Sequence, residues 1–209
     1  MGRTRKSRKA TVAWLCVMAM LTGLLSGSAG RVTKSEAAGS EFTEYTFRDF
    51  GIEDQTVSGD DVVSSTGLSS WDKVALSGKV KMPGTGTDDH YIRIAGCQIR
   101  SADKDIILEN YSNGSTIENS DGNKNGWVCI PTADGDVIDS TKTSREIPIR
   151  ITTEIVGTNF KVSVTVDGTN TKYITFQNIS TDYNIVIRGR ATSPVSVISN
   201  EKQTTEYAE

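Results

Sequence analysis

Alternation of apolar and polar residues with a period of two dominates the chain after residue 40. It is clearest in Lys73–Met82, Glu146–Val156 and Phe160–Val166, where nearly every second residue is aliphatic or aromatic. Successive side chains of a strand point to opposite faces of a sheet, so these stretches predict strands with one buried and one solvated face. No stretch after residue 40 has the period of an amphipathic helix. The pattern therefore predicts an all-β fold of antiparallel strands.

Turn signals separate these strands. Asp167-Gly168 stands between two alternating runs and predicts a β-hairpin, because glycine adopts the positive φ of such turns without strain. Weaker strand patterns occur at Thr43–Phe47, Tyr91–Ala95, Asp105–Glu109, Gly126–Ile130, Asn184–Arg188 and Val195–Ile198. Nine or ten strands in all predict a two-sheet antiparallel sandwich over residues 42–198.

The first 30 residues have the composition of an export signal. Five basic residues precede the apolar run Thr11–Leu25, and small residues follow it. This is the order of a secretory signal peptide, whereas a membrane span needs about 20 apolar residues. Gly27-x-Ala29 and Ser35-x-Ala37 both suit the peptidase, so we expect cleavage between residues 29 and 38. No second apolar segment follows, which predicts a secreted or cell-surface protein with no membrane span after signal removal.

The remainder of the chain is acidic. All 26 Asp and Glu residues but only 18 of the 23 Lys and Arg residues lie after residue 30. A surface of this sign repels phosphate backbones, and no basic patch is interleaved with aromatic residues, so we expect no nucleic-acid partner. Residues 31–41 are predicted to be a flexible lead-in and residues 199–209 a polar tail.

Cys97 and Cys129 are the two cysteines that follow the signal sequence. An even pair in an exported chain predicts a disulfide, which would stabilise the fold by about 3–4 kcal/mol by restricting the unfolded chain. Two buried free thiols are the alternative. A cysteine nucleophile is disfavoured because His90 is the only histidine that could activate it.

The order of the strand-like runs resembles the concanavalin A-like lectin and glucanase superfamily, in particular its laminin G-like bacterial members. The runs that carry the likeness are Phe42–Ile52, Leu76–Met82, Tyr91–Ile94, Phe160–Gly168 and Tyr173–Phe176. The resemblance implies a concanavalin A-like jelly-roll sandwich of two curved sheets. It also implies glycan binding or cleavage on the concave sheet or its rim loops, as in many members.

The residues needed for catalysis are missing from the sequence pattern. Glucanases of this superfamily carry a Glu-x-Asp-x-x-Glu cluster on one strand, and this chain has none. The closest approach is Asp134, Asp136 and Asp139, in a predicted turn. One histidine excludes zinc sites built on paired histidines, and no nucleophile elbow, phosphate loop or dinucleotide fingerprint occurs. We therefore predict no catalytic residues.

Asp121, Asn123 and Asn125 reproduce the first half of an oxygen-rich calcium loop. Thr132 stands where such a loop has a bidentate glutamate. The segment predicts either a degenerate calcium site or an Asn/Gly-rich turn, of which we prefer the turn. No other cofactor is expected.

Sugar recognition needs flat aromatic rings together with planar polar groups that pair with hydroxyls. The candidate ligand-binding residues are His90, Tyr91, Tyr111, Asn125, Trp127, Arg150 and Glu154. The sequence leaves open whether Trp127 is exposed or buried in the core. If Val128 and Ile130 face inward, Trp127 lies on the outer face of the strand. Arg150 and Glu154 suit either a groove or a solvated sheet face.

These observations predict an exported, noncatalytic carbohydrate-binding domain that acts on cell-wall or environmental polysaccharide. One alternative is a structural or adhesive surface domain without a sugar pocket. Another is a glycoside hydrolase whose two carboxylates are displaced from the usual strand. A groove lined by Trp127 or Tyr91 would favour glycan binding over both alternatives.

Overall fold

Strands account for almost all of the regular structure in the computed structural model. It describes residues 42–52, 54–83, 89–102, 105–132, 145–177 and 183–199, all within the compact unit Ser40–Glu209. The predicted signal peptide, the lead-in, most of the polar tail and the turn with Asp134, Asp136 and Asp139 lie outside the described residues. Within the described ranges, no helix has the length and hydropathy needed to cross a membrane.

The described elements are fourteen strands and one 3-10 helix. They are β1 (Thr43–Thr46), the 3-10 helix η1 (Phe47–Phe50), β2 (Gln55–Val57), β3 (Val62–Val63), β4 (Val74–Lys81), β5 (Tyr91–Ile94), β6 (Cys97–Ala102), β7 (Asp105–Asn110), β8 (Thr116–Asn119), β9 (Trp127–Pro131), β10 (Ile147–Val156), β11 (Asn159–Val166), β12 (Asn170–Gln177), β13 (Val186–Arg188) and β14 (Val195–Ile198). The sequence count of nine or ten strands is therefore too low. The missed strands are β2, β3, β6 and β8. Strands β2, β3 and β8 have at most four residues, too few to show alternation, and β6 has a polar residue on its inward face.

Two sheets pack as a sandwich, which confirms the predicted all-β two-sheet fold and is consistent with a jelly roll. The larger sheet has the order β2-β14-β4-β10-β11-β12-β8, and the smaller sheet has the order β3-β13-β5-β6-β7-β9. The pairings are antiparallel except that β1 runs parallel to the first half of β4. The predicted Asp167-Gly168 hairpin is confirmed: it joins β11 to β12, with φ of 53° and 73° at the two residues.

The core lies between the two inner faces. The larger sheet contributes alternate residues such as Leu76, Ile151 and Val164, and the smaller sheet contributes residues such as Ile99 and Leu108, all of them buried. Each buried aliphatic side chain of this size stabilises the fold by about 1.5–3 kcal/mol. The alternation seen in the sequence is therefore the inward and outward alternation of these strands.

The predicted disulfide between Cys97 and Cys129 is wrong, since both thiols are free. Cys97 lies opposite Ile94 on β5 and belongs to the core. Cys129 lies between the core residues Val128 and Ile130 on β9, so its side chain is on the outer face of the same sheet. Strand β7 separates the two cysteine strands. The side chains thus lie on opposite faces, and burial raises the pKa of both thiols.

We expect Cys97→Ser to lower the free energy of unfolding by about 1–3 kcal/mol, because it places a hydroxyl in an apolar core. Cys129→Ser, on the outer face, should change it by less than about 0.5 kcal/mol. Urea unfolding without reductant measures both values. A disulfide would make the two variants equally destabilised, and that result would contradict the assignment of free thiols.

Candidate functional site

The outer face of the smaller sheet carries a continuous row of side chains from one edge to the other. The strand register places Val63, Val186, Arg93, Gln98, Glu109 and Trp127 opposite one another in turn. Their neighbours along each strand belong to the core, so this row faces away from it. Directly opposed side chains in a sheet lie about 4.5–5.5 Å apart at Cβ, so each side chain of the row is within reach of its neighbours on the adjacent strands.

Arg93 is held between two tyrosine rings on this face. Its guanidinium carbon lies 3.6 Å from the ring centroid of Tyr111 and 3.9 Å from that of Tyr91. Two rings cannot share one side of a guanidinium at these distances, so the rings cover its two faces. Arg188 also contacts the Tyr91 ring, at 5.0 Å. We call Tyr111, Arg93, Tyr91 and Arg188 the arginine–tyrosine stack.

Arg188 is anchored at one end of the stack. Its Nε and one terminal amino group donate to the two carboxylate oxygens of Asp61, each at 2.5 Å. This hydrogen-bonded pair lowers the pKa of Asp61 and raises the pKa of Arg188. Such bidentate geometry fixes both side chains, and it holds the guanidinium against the Tyr91 ring.

A chain of hydrogen bonds extends from Arg93 across the next two strands. Arg93 Nε donates to Gln98 Oε1 at 2.9 Å, and Gln98 Nε2 donates to Glu109 Oε2 at 3.1 Å. Arg100 donates to the other oxygen of Glu109 at 2.7 Å. Gln98 is buried, and its amide oxygen and nitrogen are hydrogen-bonded to Arg93 and Glu109. Planar polar groups are therefore fixed in place between the stack and Trp127.

Two aromatic rings on this face are open to solvent. Tyr111 and Trp127 are 52% exposed, and Trp127 stands opposite Glu109 on the edge strand β9. Trp127 is thus not a core residue. Tyr91 is only 1% exposed, and its hydroxyl has no hydrogen-bond partner. Burial raises the pKa of Tyr91.

The loop before β9 organises itself around Asn119, which sequence analysis did not single out. The Asn119 amide nitrogen donates to Asn123 Oδ1 at 2.9 Å and to the Trp127 carbonyl at 3.1 Å. Asn123 Oδ1 also accepts from the backbone nitrogen of Asn125 at 2.8 Å, and Asp121 Oδ1 accepts from Lys172 Nζ at 2.6 Å. Asn123 Oδ1 and one carboxylate oxygen of Asp121 are thus engaged within the protein. The loop instead positions the start of β9, and with it Trp127.

No cluster of three or more His, Cys, Asp or Glu side chains suited to a metal ion occurs among the residues that the structure describes. The calcium loop predicted at Asp121, Asn123 and Asn125 has a single carboxylate and stays a prediction.

His90 lies in the interior rather than on this face. Its Nε2 is 2.8 Å from Ser101 Oγ, and its Nδ1 is 3.3 Å from Asp89 Oδ1. These are the residue types of a hydrolytic triad, but the Ser101 hydroxyl donates to the Pro83 carbonyl. The hydroxyl proton of Ser101 is therefore directed at a backbone carbonyl, and not at the imidazole as a nucleophile activated by a general base requires. Both side chains are fully buried, so the group acts as internal hydrogen bonding.

Arg150 and Glu154 lie on the outer face of the larger sheet, away from the stack. Arg150 donates to both carboxylate oxygens of Glu44, at 2.6 and 2.7 Å, and this pairing raises the pKa of Arg150. Glu154 lies between Lys73 at 3.1 Å and Lys161 at 3.7 Å. These contacts are those of a solvated face whose charges are already paired. The structure thus brings together Tyr91, Tyr111 and Trp127, but not Arg150, Glu154 or His90.

Comparison with family models, curated proteins and solved structures found no match to this chain. A functional inference therefore depends on the geometry of the outer face of the smaller sheet. That face offers two exposed rings and a fixed set of planar donors and acceptors, a combination suited to holding a flat polar ligand.

We expect the stability of the protein to fall as the pH drops below the ordinary histidine pKa of 6.5. Burial lowers the pKa of His90, with Asp89 opposing the shift and Arg100 adding to it. The unfolded chain therefore binds a proton that the native state excludes, and stability is full above pH 6.5 and declines below it. One such proton gives a slope of at most about 1.4 kcal/mol per pH unit.

Urea unfolding between neutral and mildly acidic pH measures this slope. His90→Gln should flatten it. Asp61→Asn should not, because the lowered pKa of Asp61 acts only below the ordinary Asp value of 3.8. A wild-type protein that is equally stable across this range would contradict the role given to His90.

Proposed function

We propose that this protein is an exported, noncatalytic carbohydrate-binding domain of the lectin-like type, acting on cell-wall or environmental polysaccharide. The observation that supports the proposal is the placement of exposed Tyr111 and Trp127 around a fixed row of polar groups. Sugar rings have an apolar face of C–H groups and an edge of hydroxyls. Aromatic rings contact the former, and planar amides, carboxylates and guanidinium groups bind the latter.

Preorganisation makes this face suited to binding. Gln98 and Glu109 are fixed by hydrogen bonds, and Arg93 is fixed by its two ring contacts. Their rotamer freedom is therefore already lost before a ligand arrives, which lowers the entropic cost of association. An open sheet face with one or two stacking rings predicts a dissociation constant of about 10 µM to 1 mM, or roughly −4 to −7 kcal/mol.

On this face, cleavage is disfavoured by the spacing of Glu109 and Asp61. Glycoside hydrolysis needs two carboxyl groups roughly 5–9 Å apart. Glu109 lies on β7, whereas Asp61 is bound to Arg188 on β13, and β5 and β6 lie between those strands. Three strand spacings amount to about 14 Å. Each carboxylate is also paired with an arginine, Glu109 with Arg100 and Asp61 with Arg188.

We expect Trp127→Ala to abolish retention of the domain on a polysaccharide matrix, and Tyr111→Ala to weaken it by about five- to tenfold, because each removes a stacking ring. Trp127 is half exposed and lies outside the stack, so its substitution should barely move the thermal transition. Tyr111→Ala also removes a cation–π contact worth about 0.5–2 kcal/mol and should lower the transition by a few degrees. Affinity electrophoresis against cell-wall and plant polysaccharides measures retention. Tyr173→Ala is the matched control, because it removes a ring from the outer face of the larger sheet.

Two results would contradict the proposal. If Trp127→Ala binds as well as the wild type, the site is elsewhere. If the wild-type domain binds no polysaccharide in a broad panel, the structural or adhesive alternative replaces it.

A further inference from the structure

We propose that the outer face of the smaller sheet selects polysaccharides that carry carboxylates, such as polymers of uronic acids, and that Arg93 binds the carboxylate. This inference rests on the proposed function, because it names the chemical class of the glycan. It starts from a difference between Arg93 and the other arginines described on the same face.

Two other arginines on this face are already paired with carboxylates. Arg188 is bound by Asp61, and Arg100 is bound by Glu109. Arg93 forms a hydrogen bond only through Nε, to the neutral amide of Gln98. Among the described residues, no carboxylate forms an ion pair with Arg93, so both of its terminal amino groups are available. It is half-buried, so part of the guanidinium is accessible to a ligand.

The arginine–tyrosine stack dictates how a ligand must approach this group. The rings of Tyr91 and Tyr111 cover the two faces of the guanidinium at 3.9 and 3.6 Å. Gln98 occupies the Nε position. An acceptor can therefore bind only in the guanidinium plane, at the edge formed by the terminal amino groups. Two parallel N–H donors in a plane match the two oxygens of a carboxylate.

Tyr91 provides a second, independent observation. Its hydroxyl is buried and has no hydrogen-bond partner, which is uncommon for a buried polar group. The Tyr91 ring contacts Arg93, so this unsatisfied hydroxyl belongs to the same site. The stack therefore includes an unsatisfied hydroxyl beside the guanidinium of Arg93.

The balance of charge limits which anions fit. Arg100 and Arg188 form ion pairs with Glu109 and Asp61, whereas Arg93 forms no ion pair with a described carboxylate. The chain after residue 30 has an excess of acidic residues, so its long-range field repels polyanions. Attraction is therefore local to Arg93, and stacking on Tyr111 and Trp127 must add to it. A sugar chain with carboxylates meets both conditions, whereas a bare polyanion meets only one.

The test compares polygalacturonate and alginate with the same polymers after chemical reduction of their carboxylates to alcohols. The folded domain should bind at least one acidic polymer about tenfold or more tightly than its reduced form at low salt. The preference should shrink as salt screens the charge. Arg93→Gln should lose the preference while keeping binding to the reduced polymer. Arg93→Lys should retain only part of it, because lysine keeps the charge but loses the planar fork.

Arg150→Gln is the matched control, since it removes one positive charge from the other sheet and should leave the preference intact. Equal loss in Arg150→Gln and Arg93→Gln would overturn the inference in favour of a general charge effect. Equal binding of acidic and reduced polymers by the wild type would overturn it while leaving carbohydrate binding in place. Equal binding of polyglutamate or single-stranded DNA would overturn it as well. Absence of binding to any polysaccharide would instead overturn the proposed function.

Discussion

Burial of one face of each strand between the two sheets is the constraint on which the rest of the structure depends. Ile99 and Leu108 oppose each other in the core, and a slip of one residue would turn both to solvent. The apolar face therefore fixes the register of β5, β6, β7 and β9 against one another. The same register decides which outward residues meet, and it places Arg93, Gln98 and Glu109 in line. The candidate binding face is thus a consequence of core packing on the opposite side.

Stacking then makes this outward row rigid. Arginine and glutamine side chains on an exposed sheet face ordinarily lose considerable rotamer entropy when they bind a ligand. Here Arg93 is fixed by Tyr91 and Tyr111, and Gln98 is buried beneath two charged neighbours. Each cation–π contact contributes about 0.5–2 kcal/mol, so the stack supports the fold as well as the site. A preorganised polar surface of this kind does not need a deep pocket to bind a ligand.

Long strands were predictable from sequence, whereas the composition of the site was predictable only in part. The alternation in β4, β10 and β11 identified those strands, because each is long enough to show the period. Strand β6 escaped detection because Ser101 follows Cys97 and Ile99 on its inward face, so a polar residue interrupts the apolar alternation. Tyr91, Tyr111 and Trp127 could be chosen by residue type. Arg93 could not, because its environment depends on contacts between strands that no local pattern encodes.

The two outer faces of the sandwich differ in how their charges are compensated, and this difference assigns them different roles. On the larger sheet, Arg150 is held by Glu44 and Glu154 lies between two lysines, so a ligand would have to displace existing ion pairs. Displacement leaves a partly buried charge unpaired, which costs more than an exposed pair contributes. On the smaller sheet, Arg93 retains its terminal donors, and Trp127 retains half of its surface. A ligand at the terminal amino groups of Arg93 would not have to displace an ion pair, which is why we assign the proposed recognition to the smaller sheet.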